Sequence, residues 1–181
     1  GYSIIRVHNV SNVKITGGTI EGDRKVHLGT TGEWGMGIEV KTSSNVEIYN
    51  TLIKNCWGDG IYIGGTSPSL NVKMEMVTCD SNRRQGISVA YGDGIFLKNS
   101  IMSNTRGHSP QAGIDLEPNV GQYVTNVEIV NSSFLKNTGP GIFAFAGTGK
   151  VSNVLIKDCL SDNNSHAGIN INGGNPIGGI K

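Results

Sequence analysis

Two acidic residues, Asp115 and Glu117, are separated by one apolar residue in the segment GIDLE. If this segment is an extended strand, both side chains lie on one face of it, roughly 6.5 Å apart. Inverting glycosidases hold their general acid and general base roughly 6.5 to 9.5 Å apart. The pair could therefore cleave a glycosidic bond, with one carboxyl protonating the leaving oxygen and the other activating water. In the alternative, they are two solvated charges on a strand surface.

Two basic residues extend the predicted catalytic set to Asp115, Glu117, His108 and Arg84. Arg84 could bind a substrate carboxylate, phosphate or sulfate through its planar fork. It could instead neutralise Asp59 or Asp115, which is the commoner role of a surface arginine. His108 could transfer protons near neutral pH, or it could be a solvated loop residue.

Six further residues are predicted to contact a bound substrate. They are Asp59, Tyr62, Arg83, Gln85, Phe143 and Phe145. Phe143 and Phe145 alternate with apolar positions, so both rings are expected on an outer face, where paired exposed aromatics indicate a binding surface. A sugar ring could cover them, and so could a neighbouring loop or a second subunit.

A sequence repeat determines where these residues lie. A Gly-Ile dipeptide occurs six times at intervals of 23 to 28 residues, beginning at Gly37, Gly60, Gly86, Gly113, Gly141 and Gly168. A pattern of Asn-Val-x-Ile or its equivalent alternates with it, which predicts two short strands per repeat. Periods of this length are typical of solenoids. Because no crossover helix is predicted, each strand must pair with the neighbouring repeats. This describes an all-β, single-stranded parallel β-helix of about six to seven coils.

Two kinds of column are predicted to hold the coils together. The inward column contains Ile38, Val40, Ile61, Ile63, Ile87, Val89, Ile114, Leu116, Ile142, Ala144, Ile169 and Ile171. The turn column contains Asn50, Asn99, Asn131 and Asp158, whose side chains are expected to bond along the stack. Outward residues alternate with the inward ones, so Asp115 and Phe143 are expected side by side on successive coils.

Longer segments interrupt the repeat on both sides of the acidic pair. One contains His108 and precedes the pair, and residues 118–125 follow it. Loops on a rigid scaffold often carry function, so these two are predicted to wall a groove. A third insertion, residues 23–34, contains His27 and Trp34, which could extend a glycan cleft or pack over the edge of the core.

Composition excludes some classes of partner. The formal net charge is +1 and the Lys and Arg residues are scattered, so neither nucleic acid nor an anionic membrane surface is an expected partner. No apolar run is long enough to span a bilayer. Residues 1–181 are predicted to form one β-helix domain. Because the repeat lacks shielding segments at both ends, we expect this domain to be the central part of a longer chain with its caps missing.

The repeat resembles the right-handed parallel β-helices of the pectate-lyase-like superfamily, which includes polygalacturonases, polysaccharide lyases, mannuronan epimerases and phage tailspike or appendage proteins. The resemblance rests on the Gly-Ile and Asn-Val-x-Ile strands, the asparagine turn column and the variable loops. It implies a polysaccharide partner on an outer face, an extracellular or virion location, and a homotrimer if the protein is a phage appendage. The catalytic strings of polygalacturonases and alginate epimerases are absent, the nearest segments being WGDG at 57–60 and YGDG at 91–94.

Three functions remain open from the sequence. The first is a glycoside hydrolase or depolymerase acting on a cell-surface or wall polysaccharide, without a cofactor. The second is a uronate lyase or C5-epimerase, in which Arg84 or His108 removes a proton and calcium, bound by Asp115 and Glu117, could assist. The third is a structural stalk or surface adhesin that binds glycans without cleaving them.

Overall fold

The chain forms three parallel β-sheets that run the length of a solenoid. The computed structural model describes residues 2–147, 149–173 and 177–180. No helix occurs in these residues, and so none is long and apolar enough to cross a membrane. Every strand pairs in parallel with strands of the neighbouring coils, which confirms the predicted parallel β-helix.

The strands of the three sheets follow one another in each coil. The first sheet contains β1 (Ser3–His8), β4 (Met36–Lys41), β7 (Ile61–Gly64), β10 (Ile87–Val89), β13 (Ile114–Leu116), β16 (Ile142–Phe145) and β19 (Ile169–Asn172). The second contains β2 (Ser11–Thr16), β5 (Ser44–Tyr49), β8 (Ser69–Glu75), β11 (Gly92–Lys98), β14 (Tyr123–Val130), β17 (Lys150–Lys157) and β20 (Ile177–Ile180). The third contains β3 (Thr19–Glu21), β6 (Leu52–Lys54), β9 (Thr78–Asp80), β12 (Ile101–Ser103), β15 (Ser133–Leu135) and β18 (Leu160–Asp162).

The third sheet corrects the prediction of two strands per repeat. Its strands are only three residues long, which is too short for an alternating pattern to be recognised in the sequence. In four of these strands the middle residue is fully buried in the core. These residues are Ile53 in β6, Cys79 in β9, Met102 in β12 and Phe134 in β15. Each coil is therefore three-sided.

The predicted inward column forms the apolar core. From Ile38 to Ala144 its members are at most 3% exposed, and they stack in register from coil to coil. Burying each such side chain contributes roughly 1.5 to 3 kcal/mol to stability. Ile169 and Ile171 are about half exposed, at 47% and 46%, because β19 is paired on one side only.

Asparagine ladders fix the turns. The predicted column Asn50, Asn99, Asn131 and Asp158 has left-handed backbone angles, and Asn131 Nδ2 donates to Asn99 Oδ1 over 2.7 Å. A second ladder, at the start of the Asn-Val strands, was not predicted. There Asn71 donates to Asn45 over 2.7 Å and Asn45 to Asn12 over 3.1 Å. Asparagine tolerates the left-handed backbone conformation, and its side-chain amide donates to the side-chain oxygen of the asparagine on the neighbouring coil.

Close packing explains why glycine precedes isoleucine in the five coils from Gly37 to Gly141. In the first coil, Ile4 precedes Ile5 instead. A Cβ atom added to Gly60 would lie 2.6 Å from the carbonyl oxygen of Gly86, and one added to Gly113 would lie 2.6 Å from that of Gly141. No real side chain tolerates such a contact with backbone. The dipeptide is therefore a requirement for bringing coils together at the corner that leads into the first sheet.

Candidate functional site

The outer face of the first sheet carries the predicted site. Tyr62, Ser88, Asp115 and Phe143 occupy paired positions on β7, β10, β13 and β16, as the repeat predicts. The centre of this face is nevertheless covered, since Asp115 is fully buried and Ser88 is only 3% exposed. Side chains and loops from neighbouring coils close over the strands here.

Arg84 is the centre of this cover. Its guanidinium lies 3.4 Å from Asp59 (Nη1 to Oδ2), 3.3 Å from Glu33 (Nε to Oε2) and 3.8 Å from Glu117 (Nη2 to Oε2). Asp59, Arg84 and Glu117 come from three successive coils, and Glu33 comes from the insertion before β4. The surrounding carboxylates, Asp59 first, raise the pKa of Arg84 although burial opposes them, so this side chain stays charged.

Asp59 lies beneath Arg84 and has no solvent-exposed surface. Burial raises its pKa to about 7, against the attraction of the Arg84 guanidinium. Burial disfavours the charged form of a carboxyl, and a nearby cation favours it. In this site the burial effect is the larger one, so Asp59 exchanges a proton near neutral pH.

Asp115 is held by its neighbour on the preceding coil. Gln85 Nε2 donates to Asp115 Oδ2 over 2.7 Å, and Gln85 Oε1 accepts from the backbone N–H of Ala112 over 2.8 Å. Burial and the adjacent Glu117 carboxylate raise the pKa of Asp115 well above its usual range. Its other oxygen, Oδ1, is buried without a hydrogen-bond partner in the described part of the chain.

The acidic pair thus differs from the expected one. The sequence predicts two exposed carboxylates roughly 6.5 Å apart on one strand face. The structure places Asp115 inside the protein and Glu117 at the surface, close enough for their carboxyls to interact directly. The difference arises because Gln85 holds Asp115 beneath the cover, while the charge of Arg84 acts on both carboxyls.

A pocket of about 220 Å³ opens over Arg84 and Glu117. Its walls are formed by Glu33, Trp34, Met36, Tyr62, Arg84, Ser88, Ala90, Glu117 and Asn119. Asn119 belongs to the segment that follows the acidic pair. This segment folds back over the earlier coils, with Gln122 Nε2 donating to the carbonyl oxygen of Gly65 over 3.1 Å. One of the two predicted walls, the segment 118–125, is thus present at the pocket. The segment that contains His108 does not line it, and the inserted loop before β4 supplies the other side.

Glu33 is the site residue that the sequence analysis missed. It contacts both Arg84 and His108, whose Nε2 lies 3.2 Å from Glu33 Oε1. The loop that carries Glu33 precedes β4, yet it extends to the coils of Arg84 and His108. A local sequence pattern does not predict which coils a loop contacts. Trp34 beside it is 61% exposed, which leaves an indole face open at the pocket. The sequence feature that could have indicated Glu33 as a site residue is its position beside Trp34 in an inserted loop.

Several residues predicted to bind substrate lie elsewhere or are otherwise engaged. Arg83 stacks its guanidinium on Trp57, 4.0 Å from the ring centre, and donates to the carbonyls of Gly32 and Thr30. It therefore fixes the inserted loop. Gln85 lies under the pocket and positions Asp115.

Phe143 and Phe145 lie beyond the pocket on the same sheet. Their rings stack with centres 5.8 Å apart and an interplanar angle of 18°. Both rings are partly exposed. They form an aromatic surface on the coil that follows Asp115, in line with the pocket along the solenoid, and their role in sugar binding stays a prediction.

The carboxyl groups suit a calcium ion poorly. Calcium takes six to eight oxygen ligands, whereas here Arg84 occupies the space among the acids and Gln85 holds one oxygen of Asp115. Within the described residues, no group of three or more His, Cys, Asp or Glu side chains is arranged to hold a metal ion. Calcium binding remains a prediction from the sequence.

Comparisons with known proteins agree with this architecture. Two Bacillus subtilis (strain 168) proteins, the SPbeta prophage-derived uncharacterized protein YorA and the uncharacterized protein YclG, are 34% and 30% identical to the chain over 90% of its length. The chain spans 31% of the length of each. Among solved structures, the tailspike protein gp49 of the Acinetobacter baumannii bacteriophage Fri1, a capsular polysaccharide depolymerase, matches with a TM-score of 0.53 and 19% identity. This match covers 94% of the chain and 30% of the tailspike, and it shows the fold.

A family model specifies the class of solenoid. The model described as a right-handed β-helix region matches residues 1–119, which is more than half of the chain. The matched part includes Asp59, Arg84, Asp115 and Glu117 and ends at the pocket wall formed by Asn119. The chain therefore belongs to the right-handed β-helix family.

Proposed function

We propose that the chain is the glycan-cleaving part of a polysaccharide depolymerase that acts on a cell-surface or wall polysaccharide. The observation that carries this proposal is the cluster of four acids around Arg84 beneath an open pocket on the face of the solenoid. Paired carboxyls with divergent proton affinities are the requirement for hydrolysing a glycosidic bond.

The roles follow from burial and exposure. Burial and the adjacent Glu117 raise the pKa of Asp115, so the two carboxyls share a proton, and Glu117, which faces the pocket, passes it to the leaving glycosidic oxygen. The bond from the anomeric carbon to that oxygen breaks, and a water oxygen bonds to the carbon. Glu33, oriented by Arg84 and His108, takes the proton of this water. Arg84 lies between the acids and stabilises the charge they develop.

Aromatic side chains complete the binding surface. Trp34 and Tyr62 line the pocket and present ring faces on which a sugar can pack. The Phe143 and Phe145 pair extends this surface by one coil along the solenoid, so a chain of several sugars lies along the face.

Similarity to known proteins supports this proposal and gives it a setting. The tailspike that shares the fold is a capsular polysaccharide depolymerase, and one curated relative is prophage-derived. We therefore propose a virion or extracellular location. A homotrimer, which the family resemblance implies if the protein is a phage appendage, would be detected by light scattering coupled to size-exclusion chromatography.

The lyase alternative agrees less well with the electrostatics. It requires Arg84 or His108 as the base, but the four acids keep Arg84 charged. A uronate carboxylate would also enter a pocket that already contains the carboxylates of Glu33 and Glu117. Like charges at such distances repel, and only one guanidinium is present to offset them.

The test is an assay of the protein on a panel of acidic and neutral capsular and wall polysaccharides. Release of reducing ends without ultraviolet absorbance is the expected result. Reducing ends together with absorbance from an unsaturated sugar would identify a lyase and overturn the hydrolase. Binding without cleavage on every member of the panel would identify a stalk or adhesin.

A further inference from the structure

A second pocket, of about 410 Å³, opens at the turns that follow the third sheet. It is lined by Arg24, Lys25, Lys54, Asn55, Asp80, Ser81 and Arg106. Four cationic side chains therefore face one cavity with a single carboxylate. Nothing in the proposed mechanism uses these residues.

The acids near this pocket are already engaged. Lys54 pairs with Glu21 over 3.3 Å. The Asp80 carboxylate accepts hydrogen bonds from Ser103 and Asn104, each 2.7 Å long, and from Ser81 over 2.9 Å. These bonds leave Asp80 committed to the turn and poorly placed to neutralise a cation across the cavity.

Three of the cations have no acid within ion-pair distance in the described residues, although the charge of Lys25 also acts on Glu21. Within the described ranges, Arg24, Lys25 and Arg106 form no ion pair. Arg24 is half-buried, with its Nη1 donating to the carbonyl oxygen of Ser81, and the like charges of Arg106 and Arg83 act on it. Grouping like charges without a counterion is unfavourable, and an anion in the cavity relieves it.

We propose that this pocket binds one oxyanion group, a carboxylate, sulfate or phosphate, on a sugar of an acidic polysaccharide. The guanidinium forks of Arg24 and Arg106 suit the geometry of such a group, and Lys25 adds charge. The pocket is one compact site on a chain of net charge +1, whereas nucleic-acid binding requires a basic stripe that follows a phosphate backbone.

The position of the pocket links it to the acidic site. The insertion that carries Arg24 and Lys25 also carries Glu33, and the loop that carries Arg106 also carries His108. One glycan could therefore place an uncharged sugar over Arg84 and a charged one here. This assignment of the anion's source rests on the proposed function, but the binding itself is measured without turnover.

The test measures binding of dextran sulfate and unmodified dextran of equal length to the protein, at a constant ionic strength. The variant Lys25→Gln/Arg106→Gln removes two exposed charges from the pocket. The matched control, Lys73→Gln/Lys150→Gln, removes two exposed charges of the second sheet that form no ion pair with any residue the structure describes. Arg24→Gln is a third variant, used where a urea unfolding curve shows that it folds.

We expect dextran sulfate to bind and dextran not to bind at this pocket. The pocket variant should weaken dextran sulfate binding at least about tenfold, since each lost charged hydrogen bond costs about that factor. The control should change it less than about twofold. Equal weakening in both variants, or no dextran sulfate binding, would overturn the proposal.

Two further arms identify the source of the anion. Inorganic sulfate that competes as well per mole as dextran sulfate would indicate a free-anion site and overturn the glycan assignment. A single-stranded oligonucleotide that binds more tightly than dextran sulfate would indicate a nucleic-acid site and would also overturn the glycan assignment. If the wild-type protein bound dextran sulfate at this pocket but hydrolysed no polysaccharide, only the hydrolase proposal would be contradicted.

Discussion

The carboxyl of Asp59 combines complete burial with a pKa of about 7. In the unfolded chain its ordinary value is 3.8, so between about pH 4 and pH 7 the folded protein holds a proton that the unfolded protein has lost. The folded state then binds more protons, and the free energy of unfolding falls as the pH rises through this window. Asp115, whose pKa is also raised, acts in the same direction.

Replacing Asp59 by Asn should remove this dependence. Relative to Asp59→Asn, the wild-type protein should lose up to about 1.4 kcal/mol of unfolding free energy per pH unit between about pH 4 and pH 7. Urea unfolding curves at pH 4, 5, 6 and 7 measure the difference. Parallel stability profiles for the two proteins would show that Asp59 is ionised throughout this range.

Arg84 pairs with three acids, Glu33, Asp59 and Glu117, and its removal should destabilise the fold. We expect Arg84→Gln to lower the free energy of unfolding by about 3 kcal/mol at pH 8, because it leaves Asp59 buried without a partner. At pH 5 the loss should be smaller, since the acids take up protons. Lys98→Gln, which breaks the surface pair with Glu128, is the control and should cost less than about 1 kcal/mol. Similar losses in both variants would contradict the assigned role.

At the scale of the elements, coil spacing is set by contacts that a single methyl group would break. From Gly37 to Gly141 the glycine before the inward isoleucine lies against a backbone carbonyl of the next coil, whereas Gly168 meets only the side chain of Ser161. At Gly113 an added Cβ would lie 2.6 Å from the carbonyl oxygen of Gly141, whereas at Gly168 it would lie 3.2 Å from Ser161 Oγ. The two positions therefore form a matched pair.

Gly113→Ala should destabilise the protein by about 1 to 3 kcal/mol, the usual cost of overpacking a close-packed region. Gly168→Ala should cost clearly less, because the nearest atoms, Ser161 Oγ and Cβ, lie 3.2 and 3.3 Å away and a shift of a few tenths of an ångström relieves the contact. Chemical unfolding of both variants tests the comparison. If Gly168→Ala were the more damaging, the space at the corner would not explain the Gly-Ile repeat.

The sequence predicted those elements whose pattern is local. Gly-Ile and Asn-Val-x-Ile mark two strands per coil because each motif places apolar residues at period two beside a fixed turn. The third strand has only three residues, so its alternation cannot be distinguished from chance. Burial of Asp115 also escaped prediction, because strand alternation gives the face of a side chain and not what covers that face. Glu33 depends on a loop path that sequence spacing does not determine.

At the scale of the whole molecule, the solenoid joins residues far apart in sequence into one site. Asp59, Arg84 and Glu117 come from successive coils, and insertions before and after them supply the walls. The site therefore depends on the register of three coils at once. A stable stack of short strands suits this purpose, since loops of any length can project from it without disturbing the core.

The most direct test of the central claim compares two glutamates on different faces. On a polysaccharide that the protein cleaves, Glu117→Gln should lower the rate of reducing-end release by at least about 100-fold, the usual contribution of a general acid. Glu128→Gln, which removes a surface glutamate of the second sheet, should leave the rate within about twofold of wild type. Equal rates for the two variants would show that the cluster around Arg84 is not the catalytic site.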